Sequence, residues 1–216
     1  MRIKSKKKKR RQKKTRKMNN TTIIAKQGFK PIAIALFLAI IFDLIIGCSF
    51  MGNLLYLLTF VLLIVYRNPE RSVYSDENEV LAPIDGKVIA IDEYEGKKNI
   101  YIDVSLCDTH ILRAPLGGDF ETLSHRHGLN LSHFTYKASK LNEKALLSFE
   151  NKLKIELLSG FCTPSIKLPH DHKINKGERM GVFMQGSAKI ILDADKETFV
   201  NIGDKVYAGE TIIAKV

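Results

Sequence analysis

Between residues 31 and 65 the chain is almost continuously apolar, and few soluble folds accommodate such a run. A bilayer takes about 20 consecutive apolar residues as one helical span, so this segment is long enough for one tilted span or for a short hairpin. Asp43 and the stretch 47–52 interrupt the apolar residues. Because a charge inside lipid is costly, we expect residues 29–66 to form a membrane-associated helical hairpin that is broken near residues 48–53.

A block of positive charge precedes the apolar run. Residues 1–17 contain 12 of the 34 Lys and Arg residues and no acidic residue, which leaves 22 basic and 23 acidic side chains elsewhere. Like charges at this density repel one another, so residues 1–28 are expected to be a disordered tail. Together with Arg67 and Arg71, the tail favours the cytoplasmic face of the cell membrane. A nucleic-acid partner is not expected, because the rest of the chain is not basic.

Residues 67–216 are predicted to form one β-rich domain. Short runs rich in Val, Ile and Tyr end at Gly, Asp or Asn and predict strands at 86–91, 99–104, 153–158, 189–192 and 210–216. The similar stretches INKGERM and VNIGDKV predict tight turns with a positive φ at Gly177 and Gly203. Since GDKVYAGETIIA resembles the hammerhead turn of biotinyl and lipoyl domains, the predicted fold is mainly β, of the barrel-sandwich-hybrid type.

Gly186-Ser187 is the only Gly-Ser pair in the chain. On local grounds it is an ordinary turn between strands at 182–184 and 189–192. Taken alone, the residues around the pair favour the turn.

Five motifs follow one another in an informative order: VYRNPER (65–71), APIDGKV (82–88), CDTHILRAPLGG (107–118), KGERMGVFMQGS (176–187) and GDKVYAGETIIA (203–214). This ordered set resembles the short form of the phosphatidylserine decarboxylase family, which includes archaetidylserine decarboxylases. The resemblance implies a membrane-bound carboxy-lyase whose substrate is a serine phospholipid, with either a phosphatidyl or an archaetidyl core.

The resemblance further implies that the chain cuts itself between Gly186 and Ser187. In this family the serine hydroxyl attacks the preceding carbonyl, and the new N-terminus becomes a pyruvoyl group that serves as the cofactor, without a metal. Its carbonyl is an electrophile for the substrate amine and accepts the electrons released as carbon dioxide leaves. The products 1–186 and 187–216 are expected to stay associated, and a homo-oligomer is compatible with the resemblance.

The same resemblance assigns roles to four further residues. His110 is expected to be the base for Ser187 and Asp85 the acid that orients it, with Asp108 as a reserve acid. Arg113 occupies a position where longer members of the family have a second histidine, and it is expected to clamp the substrate carboxylate or phosphate. On local grounds alone, Asp85 is equally a turn residue and His110 a buried histidine with satisfied hydrogen bonds.

Two His-x-His pairs, His125 with His127 and His170 with His172, suggest a different function. On a β-strand this spacing puts both imidazoles on one face, as zinc ligands require. A membrane-anchored zinc hydrolase is therefore the alternative, although loop histidines without a metal explain the pairs as well. A non-catalytic barrel-sandwich adaptor is a third possibility, in which the bond between residues 186 and 187 stays intact.

Overall fold

The computed structural model describes residues 23–25, 28–47, 49–73, 75–161, 163, 165–168 and 173–216. Most of the basic tail lies outside these residues, as do His170 and His172. The helices are α1 (Phe29–Ile46), α2 (Phe50–Val65) and α3 (Tyr136–Leu141). The strands are β1 (Glu79–Leu81), β2 (Gly86–Tyr94), β3 (Lys97–Val104), β4 (Ile111–Arg113), β5 (Gly118–Arg126), β6 (Lys144–Phe149), β7 (Leu153–Ser159), β8 (Lys173–Ile174), β9 (Arg179–Val182), β10 (Gly186–Asp193), β11 (Glu197–Thr198), β12 (Lys205–Val206) and β13 (Ile212–Lys215).

The strands form antiparallel sheets, so the prediction of a mainly β domain is confirmed. The largest sheet has eight strands in the order β12-β2-β3-β10-β7-β6-β5-β8, beside a three-stranded sheet, β1-β13-β11, and a two-stranded sheet, β4-β9. The predicted strands overlap β2, β3, β7, β10 and β13, and Gly177 and Gly203 have the predicted positive φ, at 74° and 100°. The barrel-sandwich type is a finer assignment and stays a prediction.

Strand β10 shows how the large sheet separates its two faces. Its burial alternates residue by residue, with Ala188, Ile190 and Leu192 buried and the residues between them half-buried. Side chains alternate across a strand, and fully burying an Ile or Leu side chain stabilises a fold by about 1.5–3 kcal/mol, so this pattern fixes which face meets the core. Ser187 therefore lies on the face opposite the core.

The apolar run forms two helices that pack against each other. Helix α1 ends at Ile46 and α2 begins at Phe50, close to the break that the sequence predicts. Ser49 Oγ caps α2 by accepting a hydrogen bond from the Gly52 amide at 3.2 Å. Helix α1, with 18 residues and a mean hydropathy of 2.4, is long and apolar enough to cross a membrane. Both helices expose most of their large apolar side chains, among them Leu44 and Phe50.

The C-terminal end of α2 is tied to the β-rich domain. The Ala25 amide donates to Tyr66 O at 2.9 Å, so residues 23–25, which the sequence places in the disordered tail, pair with residues 66–68. The Tyr66 hydroxyl contacts Met184 Sδ at 3.9 Å, and His110 Nδ1 lies 2.8 Å from Val65 O. The last carbonyls of a helix lack partners within it, so His110 satisfies one of them. These contacts place the end of α2 beside the segment that precedes Gly186.

The protein is expected to remain in the membrane fraction after a wash with about 1 M salt, where the Debye length falls to about 3 Å and charge attraction to lipids is screened. Apolar helices α1 and α2 provide an attachment that salt does not weaken. Sedimentation of washed membranes followed by immunoblotting measures it. A variant lacking residues 1–17 is the control and is expected to stay bound as well; release of the full-length protein by salt would contradict the membrane hairpin.

Candidate active site

Gly186 and Ser187 lie at the start of β10, between β3 and β7, and not in a turn. The interpretation of this pair as a turn is therefore wrong. Gly186 has φ 145°, and a Cβ at this position would lie 2.1 Å from Leu158 O and 2.8 Å from Phe183 Cζ. Only glycine fits such a space, so the backbone on both sides of the Gly186–Ser187 bond is held closely by its neighbours.

The residue before this pair is fixed by a short loop after β7. Gly160 N donates to Gln185 O at 2.9 Å, and Gln185 N donates to Thr163 Oγ1 at 3.0 Å. The Thr163 hydroxyl in turn donates to Gln185 O, and Thr163 is buried. These hydrogen bonds fix the backbone of Gln185, directly before Gly186.

Asp85 is buried and forms an ion pair with Arg71. Arg71 binds it in a bidentate manner, with Nη1 2.6 Å from Oδ1 and Nη2 2.5 Å from Oδ2, and Ala208 N donates to Oδ1 at 2.8 Å. A bidentate guanidinium fixes both the position and the orientation of a carboxylate. Among the described residues, the hydrogen bonds of Asp85 go to these partners and not to His110.

Both ring nitrogens of the buried His110 face backbone carbonyls: Nδ1 lies 2.8 Å from Val65 O and Nε2 3.2 Å from Ser105 O. A neutral imidazole can donate only one hydrogen, and carbonyl oxygens cannot donate to the other nitrogen. One of these contacts must open before His110 can take a proton from a serine, and its role as the base stays a prediction. Asp108 accepts from Ser105 N at 3.0 Å, which closes the same turn.

Two residues that the sequence analysis did not select also lie at this site. Asp103 on β3 stands directly opposite Ser187 in the register of β3 with β10. His133 Nε2 lies 2.7 Å from Asp103 Oδ1, and the His133 side chain is only 3% exposed. The spacing of these residues along the chain gives no signal, because the register between β3 and β10 becomes known only from the folded sheet.

Comparison with known proteins identifies the family. Residues 59–214 match the family described as phosphatidylserine decarboxylase. The chain belongs to this family. It is thus a carboxy-lyase, as the five motifs imply.

Several curated members of the phosphatidylserine decarboxylase family are similar to the chain over most of its length. The phosphatidylserine decarboxylase proenzyme of Pelagibacter ubique is 27% identical over 208 residues, which cover 89% of this chain and 96% of the relative. The proenzyme of Carboxydothermus hydrogenoformans is 30% identical over 181 residues, or 77% and 84% of the two chains. That of Burkholderia cenocepacia is 29% identical over 213 residues, or 90% and 96%. No solved structure matches the chain.

Arg113, the expected substrate clamp, is buried and donates hydrogen bonds to backbone carbonyls of the protein. Its Nη1 donates to Gly177 O and its Nη2 to Pro69 O, each at 3.0 Å. Burial, and then the nearby charges of Arg179 and Arg71, lower the pKa of Arg113 from its ordinary value to about 10. The side chain is still charged at neutral pH. Its contacts join the segment after α2 to the turn at Gly177, and its role as a substrate clamp stays a prediction.

The first His-x-His pair has a buried carboxylate between its rings. His125 Nε2 lies 2.8 Å and His127 Nδ1 3.2 Å from Glu143 Oε1, so the two imidazoles share a face as their spacing predicts. His125, His127 and Glu143 each offer one ligand atom, and these three atoms lie within 4.8 Å of one another. The three residues could therefore hold a metal ion. Glu143 also accepts from Ser165 Oγ at 2.9 Å and from Ile166 N at 3.2 Å. These contacts with protein groups satisfy the hydrogen-bonding capacity of the buried Glu143 carboxylate, and they do not need a metal ion to do so.

Proposed function

We propose that the protein decarboxylates phosphatidylserine by means of a pyruvoyl group made from Ser187 after self-cleavage. The observation that supports this most directly is the geometry of Gly186 and Ser187. Gly186 occupies a space that no side chain could share, and Ser187 presents its hydroxyl on the half-buried face of the sheet. The substrate follows from the relatives, which are named phosphatidylserine decarboxylase proenzymes.

The steps of the proposed maturation balance without an outside reagent other than water. Attack of Ser187 Oγ on the Gly186 carbonyl replaces the peptide bond with an ester and frees the nitrogen of residue 187. Loss of the Cα proton of residue 187 then breaks the Cβ–Oγ bond, releases Gly186 as a carboxylate and leaves a carbon–carbon double bond. Tautomerisation and hydrolysis of the resulting imine release ammonia and leave the pyruvoyl group.

The residues around position 187 fit such a group. Strands β3 and β7 flank the new N-terminus on both sides, and Gly160 and Thr163 hold Gln185 near the new C-terminus of the larger product. When formed, the group supplies an electrophilic carbonyl that binds the substrate amine and accepts electrons as carbon dioxide leaves. The surrounding strands would fix the position of that carbonyl on the half-buried face of the large sheet.

The two cleavage products are expected to stay associated because strands from both products pair within the same sheets. Residues 187–216, which are 30 residues, contain most of β10 and all of β11, β12 and β13. Strand β10 pairs with β3 and β7, β12 with β2, and β13 with β1, all of them in the larger product. A short fragment cannot bury its apolar faces alone, so dissociation would expose the core.

The position of the site relative to α2 suits a lipid substrate. Tyr66 at the end of α2 contacts Met184, which lies two residues before Gly186. A head group could therefore reach the site while its acyl chains remain in the bilayer. We place the protein at the cytoplasmic face of the cell membrane, as the basic tail favours.

Decarboxylation of phosphatidylserine is expected to survive treatment with chelators and to be lost with hydroxylamine, which attacks the pyruvoyl carbonyl. Release of carbon dioxide from carboxyl-labelled phosphatidylserine in detergent micelles measures both effects. His125→Ala is the matched variant for the cluster of His125, His127 and Glu143, and it is expected to decarboxylate normally. Release of carbon dioxide that chelators remove, that zinc restores and that His125→Ala abolishes would refute the pyruvoyl mechanism and point to the metal cluster on which the zinc hydrolase alternative depends.

A further inference from the structure

We propose that His133 is the base that takes the hydroxyl proton of Ser187 during self-cleavage, and that Asp103 is the residue that positions it. This inference rests on the proposed function, since it concerns the same peptide bond. It assigns the base to a residue outside the five motifs.

The sheet register places the carboxylate of Asp103 on the same face as the Ser187 hydroxyl. Residues directly opposite each other in an antiparallel pair point to the same side, with Cβ atoms about 4.5–5.5 Å apart. Ser187 is opposite Asp103, and both residues are half-buried while their neighbours Ala188 and Ile102 face the core. Asp103 therefore lies across the strand from the attacking oxygen.

His133 covers this face and is oriented by the carboxylate. An ionised carboxylate only accepts hydrogen bonds, so the 2.7 Å contact between His133 Nε2 and Asp103 Oδ1 puts the ring hydrogen on Nε2. The lone pair of the neutral ring is then on Nδ1. Within the part of the chain that the structure describes, His133 Nδ1 is buried and has no hydrogen-bond partner. Buried polar atoms without a partner are rare in native proteins and need a reason.

The unpartnered nitrogen lies near the bond to be cut. A Cβ placed on Gly160 would be 3.0 Å from His133 Nδ1, 3.2 Å from Gly186 Cα and 3.3 Å from the Gln185 carbonyl carbon. His133 Nδ1 and the backbone of Gly186 thus border the same small space, which stays open because residue 160 has no side chain. By contrast, both nitrogens of His110 face carbonyl oxygens.

The proposed step is a proton transfer coupled to an acyl shift. His133 Nδ1 accepts the proton from Ser187 Oγ as the Oγ–C bond to the Gly186 carbonyl carbon forms. Asp103 stabilises the imidazolium that results, as the carboxylate does in a Ser-His-Asp triad. His133 then returns the proton to the nitrogen of residue 187 as the C–N bond breaks, so that an ester and a free amine replace the amide.

The test measures the rate at which the precursor is cut. Wild-type chain and variants are synthesised without cells into phosphatidylglycerol-containing vesicles, and the amount of fragment 187–216 is followed by mass spectrometry. His133→Ala and His133→Gln are expected to be cut about 10²- to 10⁴-fold more slowly, the usual effect of a general base. Added imidazole is expected to accelerate His133→Ala. His127→Ala, which changes an exposed histidine, is the matched control and is expected to be cut at the wild-type rate.

The glutamine variant separates chemistry from folding. Gln can donate to Asp103 and fills much of the histidine's volume, but it has no basic nitrogen. Cleavage of His133→Gln at the wild-type rate would overturn the proposal, and so would a His133→Ala protein that melts like the wild type and is not accelerated by imidazole. Cleavage of His110→Ala at less than a hundredth of the wild-type rate, with His133→Gln unaffected, would return the role to His110.

Asp103 is tested through its dependence on His133. Asp103→Asn is expected to slow the cut in the wild-type background and to have no further effect in His133→Ala, because a residue that only orients the base loses its role with the base. Equal slowing in both backgrounds would overturn the positioning role. A wild-type chain that is never cut would refute the proposed function itself, whereas a wild-type chain that is cut as fast as His133→Gln would refute only this inference.

Discussion

Ser187→Ala is expected to give an uncut, folded and inactive chain. Alanine lacks the oxygen that attacks the Gly186 carbonyl, so the peptide bond stays intact and the pyruvoyl carbonyl never forms. Genetically encoded side chains supply no equivalent electrophile, and decarboxylation should fall to the uncatalysed rate, a loss of at least about 10⁶-fold. The fold should persist, because the backbone pairing of β10 with β3 and β7 does not use the serine side chain.

Intact mass and activity measure this prediction together. The wild-type protein should give masses for residues 1–186 and 187–216, and the smaller fragment should resist Edman degradation because a pyruvoyl group has no amine. Ser124→Ala, on the exposed part of β5, is the matched control and should be cut and active. A wild-type protein that decarboxylates phosphatidylserine at its full-length mass would refute the mechanism, and a full-length, inactive wild type would point to the adaptor.

Gly186→Ala is expected to destabilise the chain and to block the cut. The new Cβ would lie 2.1 Å from Leu158 O and 2.8 Å from Phe183 Cζ, in a backbone with φ 145°. Leu158 O belongs to the neighbouring strand and cannot move without breaking the pairing of β7 with β10. We expect a loss of about 3 kcal/mol or more in the free energy of unfolding, from backbone strain and overpacking together.

Gly203→Ala separates the effect of backbone strain from the effect of steric overlap. Gly203 also has a positive φ, 100°, but a Cβ there would meet no atom within 4 Å. This variant should lose about 1–3 kcal/mol from strain alone and should be cut normally. Both variants are best compared by thermal unfolding in a Ser187→Ala background, where every chain is uncut, and by cleavage in the Ser187 background. Equal stability of the two variants, with normal cleavage of Gly186→Ala, would contradict the tight fit at residue 186.

The sequence alone was sufficient for features that depend on local periodicity or backbone geometry. The apolar run predicts the two helices, because helical segments need only their own hydrogen bonds and an apolar surface. Runs of β-branched residues predict β2, β3 and β7, and the glycines at 177 and 203 predict turns, since both signals reside within a few residues. The motifs around Asp85, His110 and Ser187 likewise identify the family.

Only the tertiary structure decided which side chains meet at the site. Arg71, and not His110, pairs with Asp85, and His110 binds the end of α2. Asp103 meets Ser187 through the pairing of β3 with β10, and the loop at His133 closes over both. Contacts between residues far apart in the chain depend on strand register and loop packing, which residue types do not encode locally. The sequence therefore locates the bond that we propose is cut, whereas the folded sheet determines which groups surround it.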